Sequence, residues 1–453
     1  MIKTSKFQGK KILVLGLAKS GTAAAELLLD LGAEVTVNDR EPYEKNKEAQ
    51  QLKEKGANVV CGSHPVELVH NELDYVVKNP GIRYDNPLVS AAEQKGIPVI
   101  TEMELAYKVS EAEIIGITGS NGKTTTTTYL FEMLRGGERE PLVAGNIGEV
   151  ACEVAQRATS ENIMVTELSS FQLLGTREFR PKISILLNIV EAHLDYHGSM
   201  SEYIEAKAKV FANQKENDFF IYNADDETVS RLAQRTPARK VPFSTKTVIE
   251  EGACIRDGWL EVFGEKLIKA DEMSLPGEHN IANGLAAAAA AYLSGALKDR
   301  IKDVLRTFTG VEHRLQFVTE YGGRSFYNNS KATNVPAAIT SLKAFEGKPV
   351  VLIAGGLDRG VPFTGLVPYL RENVKAVITY GETAAKIAEA AAEAGVPAVV
   401  KTSVLSEAVP AAYAHSSSGD VILLSPACAS WDQFRTFEER GEHFVNAVKN
   451  LIQ

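Results

Sequence analysis

The chain is short of what several classes of protein require. Only four of its 453 residues are cysteine (Cys61, Cys152, Cys254 and Cys428), and they lie far apart. Such spacing offers neither a disulfide framework nor a paired metal motif. Positive charge is in deficit, with 49 lysines and arginines against 58 acidic residues and a net charge of −9. A duplex-DNA or anionic-membrane binder needs a basic face, so neither nucleic acid nor membrane is an expected partner; a local basic pocket for a small anion remains open. Long apolar runs are missing too. The longest, Leu285 to Leu293, is mostly alanine and too short to span a bilayer. Met1-Ile2-Lys3-Thr4 leads into a strand-like segment without a signal-peptide core, and a cytoplasmic, reduced location is expected.

The composition that is present, 44% hydrophobic and 24% charged, belongs to a folded globular chain rather than a disordered one. At roughly 150 residues per domain the length suggests about three domains. Short β-branched runs alternate with Ala/Leu/Glu-rich stretches, the pattern of parallel α/β architecture. Strands are expected at Ile12–Leu15 and Val35–Val37, then at Ile114–Ile117, Ile163–Val165, Ile183–Leu187 and Phe219–Tyr222. A third group follows at Val350–Ile353, Ala376–Thr379, Val399–Val400 and Val421–Leu424. Asn280–Leu297, with six consecutive alanines, reads as the last helix of the second unit. Boundaries are expected near 100 and 310, giving domains 1–100, 101–309 and 310–453.

The strongest chemical signal is Gly116-Ile-Thr-Gly119-Ser120-Asn121-Gly122-Lys123-Thr124-Thr125, between a strand and a helix-like stretch. Glycines there let backbone N–H groups curl around phosphate oxygens at a helix N-terminus. Lys123 is placed to reach the β- and γ-phosphates, and the Thr124 hydroxyl to ligate Mg²⁺. Ile117 stands where the strict P-loop has glycine, so this is a variant loop; it is read as an ATP site. Glu167 closes the strand after it, where P-loop proteins commonly keep a metal-binding acid. His193 is a second candidate ligand, although a loop histidine is ordinarily a surface or capping group.

A second glycine loop, Gly16-Leu17-Ala18-Lys-Ser-Gly21, follows the first strand. Ala18 occupies the position where a dinucleotide fingerprint needs glycine for close approach to a pyrophosphate. A nucleotide or nucleotide-sugar pocket is therefore favoured over a redox cofactor, with Asp39 as a hydrogen-bond acceptor at the end of the next strand.

Taken together these segments resemble the Mur ligases, ATP-dependent amide-forming enzymes of peptidoglycan synthesis. The similarity extends through Ala144-Gly-Asn146-Ile-Gly148, Glu167-Leu-Ser-Ser-Phe-Gln172, His193-Leu-Asp-Tyr-His-Gly198, Ala206-Lys207, His279-Asn280-Ile-Ala-Asn283, His313-Arg314, Ser330-Lys331-Ala-Thr333-Asn334 and Ser425-Pro-Ala-Cys-Ala-Ser430. Glu167–Gln172 and Ser425–Ser430, with the Rossmann-like start, resemble the D-glutamate-adding branch. The resemblance implies a three-domain α/β fold: a Rossmann-like N-terminal domain, a central P-loop-type ATPase domain and a C-terminal Rossmann-like α/β domain. It implies a monomeric ligase that joins D-glutamate to UDP-N-acetylmuramoyl-L-alanine through an acyl phosphate, releasing ADP and phosphate. ATP and two Mg²⁺ are the implied cofactors, with a carbamylated Lys207.

By the same resemblance, Gly16, Leu17, Ala18, Asp39, Ser169 and Gln172 serve the UDP substrate. Thr124, Glu167, His193 and Lys207 serve the metals. Asn146, Asn280, Asn283, Arg314 and Asn329 join Gly119–Thr125 at ATP. Lys331, Thr333, Arg359, Ser430 and Phe437 serve D-glutamate. Asn329 is a departure, since close members generally carry aspartate there. The competing readings are another Mur ligase, a folylpolyglutamate synthase, an NAD-dependent dehydrogenase and a regulator that keeps the fold without catalysis. The Gly16 unit and Ser425–Ser430 oppose the folate enzyme, and Ala18 opposes the dehydrogenase.

Overall fold

A computed structural model describes residues 5–452, and among these the strands form three sheets. Met1–Thr4, read above as leaderless, lie outside the described residues. The first sheet is wholly parallel, in the order β3-β2-β1-β4-β5: β1 (Lys11–Leu15), β2 (Glu34–Asp39), β3 (Asn58–Cys61), β4 (Tyr75–Lys78) and β5 (Val99–Ile100). Its central strands β1 and β4 are near-continuous apolar runs because helices cover the faces of such sheets. Ile12 and Val14 face one core and Leu13 and Leu15 the other. The helix after β1 runs Lys19–Asp30.

The second sheet places β6 (Glu113–Thr118) between β8 (Asn162–Glu167) and β9 (Ile183–Leu186), with β7 (Glu140–Gly145) at one edge. Beyond β9 come β10 (Phe219–Asn223) and β11 (Arg239–Ser244), both parallel to it. The far edge is an antiparallel meander, β12 (Ala253–Arg256), β13 (Trp259–Val262) and β14 (Glu265–Lys269), absent from the expected strands. Its turns are Asp257-Gly258 and Phe263-Gly264, all four residues at positive φ, as two-residue type I′ hairpins require.

The alanine-rich helix runs Glu278–Leu293 and stops short of the expected Leu297. Gly295, at φ +83°, donates to Tyr292 O and Ala296 to Ala291 O, a Schellman closure that ends the helix. It is not the last helix of this region, since Lys298–Thr307 follows.

The third sheet has the order β15-β16-β20-β17-β18-β19: β15 (Gln316–Tyr321), β16 (Arg324–Asn328), β17 (Val350–Gly355), β18 (Val374–Tyr380), β19 (Ala398–Lys401) and β20 (Val421–Leu424). Only the β15–β16 pair is antiparallel. The chain divides into two compact units. One runs up to Met273 and includes Glu278–Thr307, holding the first two sheets; the other is Ser274–Gly277 with the residues from Phe308 on. Among the described residues no helix is long and apolar enough to cross a membrane.

Candidate active site

In a parallel sheet the loops after neighbouring strands gather at one end, where ligands bind. The β6 loop carries Gly119–Thr125, and β8 ends on Glu167 beside it. Lys123 opens the helix Lys123–Leu134 from Gly122, whose φ of +83° is left-handed. A Cβ at Gly122 would also lie 2.2 Å from Asn283 Oδ1, so glycine is required there twice over. That contact brings the helix Glu278–Leu293, with buried Asn280 and Asn283, against the loop.

Within this group the Thr124 hydroxyl donates to Glu167 Oε2 at 2.8 Å, and Asn146 Nδ2 to Glu167 Oε1 at 2.6 Å. Asn146 thus sits on the carboxylate that the sequence marks for a metal. Lys123 Nζ folds back on its own loop, donating to Gly119 O at 2.8 Å and Ser120 O at 3.0 Å. Lys207, in the helix Met200–Ala208, is buried and donates to the same Gly119 O at 2.7 Å. Burial, and then the charge of Lys123, push its ammonium down to about 6, opposed by Glu167.

His193 adopts left-handed φ (+57°) just before the short helix Leu194–His197 and packs edge-on against Phe171 at 5.0 Å. It lies in the loop that follows β9, which stops at Leu186. Although His193 is exposed, partial desolvation, and then Lys123, lower its imidazole pKa, with Lys207 adding to the effect and Asp195 opposing it.

Two residues that sequence reasoning missed shape the loop. Asn188 exchanges hydrogen bonds with the Asn121 backbone, Asn121 N to Oδ1 at 2.8 Å and Nδ2 to Asn121 O at 3.1 Å. The Tyr203 hydroxyl meets Ser120 Oγ at 2.9 Å. Asn188 follows a strand whose C-terminal end borders the P-loop strand, which was the available signal.

In the first sheet, Asp39 Oδ2 accepts from Leu17 N at 2.7 Å, bracing the Gly16-Leu17-Ala18 loop. The loop and Asp39 border a cavity of about 1170 Å³ together with Asn79, Gly81 and Arg83. Ser169 and Gln172 do not line it. They form the capping box of the helix Ser170–Leu174, and Gln172 is buried, donating to Glu102 Oε1 at 3.0 Å.

The remaining candidates lie in the second unit. Arg314 sits between His313 and Leu315, both at positive φ (+62° and +46°). Asn329 is buried, and its Oδ1 accepts from Leu315 N at 3.2 Å. Lys331 lies 3.8 Å above the Phe437 ring, Thr333 N donates to Lys331 O, and Ser430 is buried. Arg359 stacks on the exposed Trp431 at 4.7 Å. Sequence reasoning passed over Arg440, which is fully buried and donates to Ser330 Oγ, Ser330 O and Cys428 O at 2.8–3.0 Å.

Thr124 and Glu167 supply hard oxygen atoms of the kind Mg²⁺ prefers, whereas Lys207 fits beside a metal only once it has lost its positive charge. Among the described residues no group of three or more His, Cys, Asp or Glu side chains forms a ready-made metal cage.

Comparison with known proteins covers nearly the whole chain. Residues 10–101 match the Mur ligase MurD-like N-terminal domain, 117–291 the Mur ligase middle domain and 313–428 the Mur ligase glutamate ligase domain. The chain is 56% identical over 451 residues to the UDP-N-acetylmuramoylalanine–D-glutamate ligase of Geobacillus sp. (strain WCH70), covering 100% of both. It is equally similar to that of Bacillus thuringiensis (strain Al Hakam) over 452 residues, again with full coverage of both. Among solved structures it resembles the UDP-N-acetylmuramate-alanine ligase of Thermotoga maritima, with TM-score 0.58, 21% identity and 98% and 99% coverage. The MurF ligase of Thermotoga maritima in complex with ADP matches with TM-score 0.56, 16% identity and 100% and 98% coverage. At those identities the structural likenesses speak for the fold.

Proposed function

This chain belongs to the Mur ligase family, and from that premise we propose how its residues carry out the ATP-driven joining of D-glutamate to UDP-N-acetylmuramoylalanine. The activity is the one named for its full-length relatives, a peptidoglycan-precursor ligase. Residues 1–100, 101–309 and 310–453 serve as sugar-nucleotide, ATP and amino-acid domains. The enzyme works as a monomer in the cytoplasm.

One observation supports this division of labour above the others: Lys123, Lys207, Thr124 and Glu167 converge on one loop at the ends of adjacent strands. The substrate carboxylate attacks the γ-phosphorus, a new O–P bond forms and the bond to ADP breaks. The D-glutamate nitrogen then attacks the acyl carbon, phosphate leaves and the nitrogen sheds a proton. Nucleophile and phosphate are both anionic, so positive charge must stand ready where they meet. Lys123 supplies it by swinging from its carbonyl contacts onto the phosphate. The loop N–H groups and the helix N-terminus hold the other oxygens.

Thr124 and Glu167 would hold one Mg²⁺, His193 and a carbamylated Lys207 a second, each ion adding positive charge at the phosphate oxygens. Asn146 fixes the Glu167 carboxylate, while Asn280 and Asn283 face the nucleotide. The Gly16–Ala18 loop and Asp39 take the uridine end of the substrate. Arg359, held over the Trp431 ring, offers a guanidinium fork to a D-glutamate carboxylate near Lys331, Thr333, Ser430 and Phe437.

ADP release in a coupled assay is expected only when both UDP-N-acetylmuramoyl-L-alanine and D-glutamate are present. Release with either one omitted, or with L-alanine or a diamino acid in place of D-glutamate, would overturn the reading. Gel filtration with light scattering tests the monomer.

A further inference from the structure

Lys78 ends β4 and is 1% exposed, one of the largest fully buried side chains in the protein. Among the described residues no carboxylate lies within ion-pair distance of it. Its ammonium instead meets oxygen from three directions: Ile82 O at 2.8 Å, the Tyr196 hydroxyl at 3.2 Å and Pro80 O at 3.4 Å. The Tyr84 ring covers it at 4.7 Å. Burying an ammonium with only carbonyls and rings for company is costly, and burial lowers its pKa to about 7, weakly opposed by Glu93. An apolar residue would satisfy mere packing here; the lysine calls for another explanation.

Tyr196 reaches the same place from the central sheet's side. Its hydroxyl lies 2.8 Å from Ile82 O and 3.0 Å from Pro80 O. One hydroxyl proton serves one acceptor well. A consistent assignment has Lys78 donating to Ile82 O and to the phenol oxygen, and the phenol donating to Pro80 O. Lys78 and Tyr196 therefore close a clamp on the turn Asn79-Pro80-Gly81-Ile82.

The two sides of that turn face different parts of the site. Asn79, Gly81 and Ile82 border the cavity of the Gly16–Ala18 loop. Asn79 N donates to Leu15 O at 2.8 Å and Asn79 Nδ2 to Ser20 Oγ at 3.0 Å, fastening the turn to that loop. On the other side, Tyr196 lies three residues after His193 in the chain. The Phe171 ring packs on Tyr196 (4.5 Å), His193 (5.0 Å) and His197 (5.3 Å). Arg83 adds a hydrogen bond to Asp195 O.

We propose that Lys78 and Tyr196 are positioning residues that hold the sugar-nucleotide turn in register with His193, so that the far end of the bound substrate meets the phosphoryl-transfer loop. The inference rests on the proposed function, which assigns the cavity to the nucleotide end and His193 to the reacting end. Neither Lys78 nor Tyr196 lines the cavity of the Gly16–Ala18 loop. It sets the alignment between two sites, and small misplacements cost rate more than binding.

Tyr196→Phe keeps the ring against Phe171 and removes only the hydroxyl; Lys78→Met keeps the length and removes the donor. In the full chain each is expected to lower kcat about ten-fold, the scale of one lost positioning hydrogen bond. The ATP KM and the Kd of UDP-N-acetylmuramoyl-L-alanine by calorimetry should stay within about two-fold of wild type. The double variant should fall little further than either single one, because the two groups act as a unit. Wild-type kcat in a folded Tyr196→Phe enzyme overturns the clamp even if Lys78→Met fails to fold, as does full additivity. A wild-type enzyme inactive with both substrates would overturn the proposed function as well, whereas an active wild type with an unimpaired Tyr196→Phe would overturn the clamp alone.

Discussion

Lys123 and Lys207 share a single acceptor, the carbonyl oxygen of Gly119, at 2.8 and 2.7 Å. Two ammonium groups on one oxygen repel each other, which is why the charge of Lys123 helps to depress Lys207. The arrangement holds Lys123 beside the phosphate loop and leaves Lys207 ready to give up its proton.

Replacing Lys123 by alanine tests the first half of that arrangement. The helix Lys123–Leu134 is capped by Gly122 and packed through Thr124, Thr127 and Leu130, so the fold should survive. Turnover should fall by at least 10²–10³-fold, the effect of removing a group worth about 3–4 kcal/mol to the developing charge. A folded Lys123→Ala protein, checked by circular dichroism, that retains near-normal ADP release would dispose of the P-loop assignment.

Lys207 tests the second half. Only the unprotonated amine takes up CO₂, forming an N–C bond and releasing a proton, and this site favours that form by burial and by the nearby Lys123. We expect the mass of one CO₂ on this side chain under neutral native mass spectrometry, lost on acidification. A ¹³C-bicarbonate NMR signal absent from Lys207→Met should accompany it. Lys207→Met should be inactive, with partial rescue by short-chain carboxylates. An unmodified lysine in active enzyme would refute the carbamate.

Lys78 makes stability depend on pH, and the sign follows from its lowered pKa. Unfolded, this lysine holds its proton up to its ordinary 10.5; folded, it releases the proton near 7. Between those values the unfolded state binds more protons, so stability rises with pH, and below about 7 the slope vanishes. The stability of wild type relative to Lys78→Met should increase by about 2 kcal/mol from pH 7.5 to 9.5. Parallel urea midpoints for the two proteins across that range would show that Lys78 keeps its proton in the folded state.

Much of the fold was legible because parallel strands buried on both faces must be apolar runs, as Val350–Ile353 and Val421–Leu424 are. The P-loop and Glu167 were legible because phosphate chemistry restricts both residue type and strand-end position. The β12–β14 meander was overlooked although Asp257-Gly258 marks a hairpin, since its short strands lack the long apolar runs of the rest. Gly295 carried the stop signal that the alanine run obscured. Lys78, Tyr196 and Arg440 were illegible for another reason. Their partners lie 2 to 118 residues away in the chain, and only tertiary packing buries the charged ends of Lys78 and Arg440.

Asn329 carries the last prediction, because it braces the turn that presents Arg314. Its Oδ1 accepts from Leu315 N at a long 3.2 Å, while Lys331 N donates to His313 O at 2.9 Å. His313 and Leu315 are both left-handed, a conformation costly for residues with a Cβ, so the turn depends on such outside bonds. A carboxylate at this position would keep the acceptor and add charge, and charge-assisted hydrogen bonds are roughly twice as strong as neutral ones. It would also attract the Arg314 guanidinium and offer acceptors to ribose hydroxyls where the amide presents donors. The amide is therefore expected to weaken nucleotide binding by about 1–2 kcal/mol relative to aspartate. Asn329→Asp should lower the ATP KM several-fold and move the D-glutamate KM less. Hydrogen exchange at Leu315 N–H should slow in parallel, linking the kinetic change to the turn. Unchanged ATP kinetics in the Asn329→Asp variant would mean that the amide braces the turn as well as a carboxylate does, and that this position has no part in holding the nucleotide.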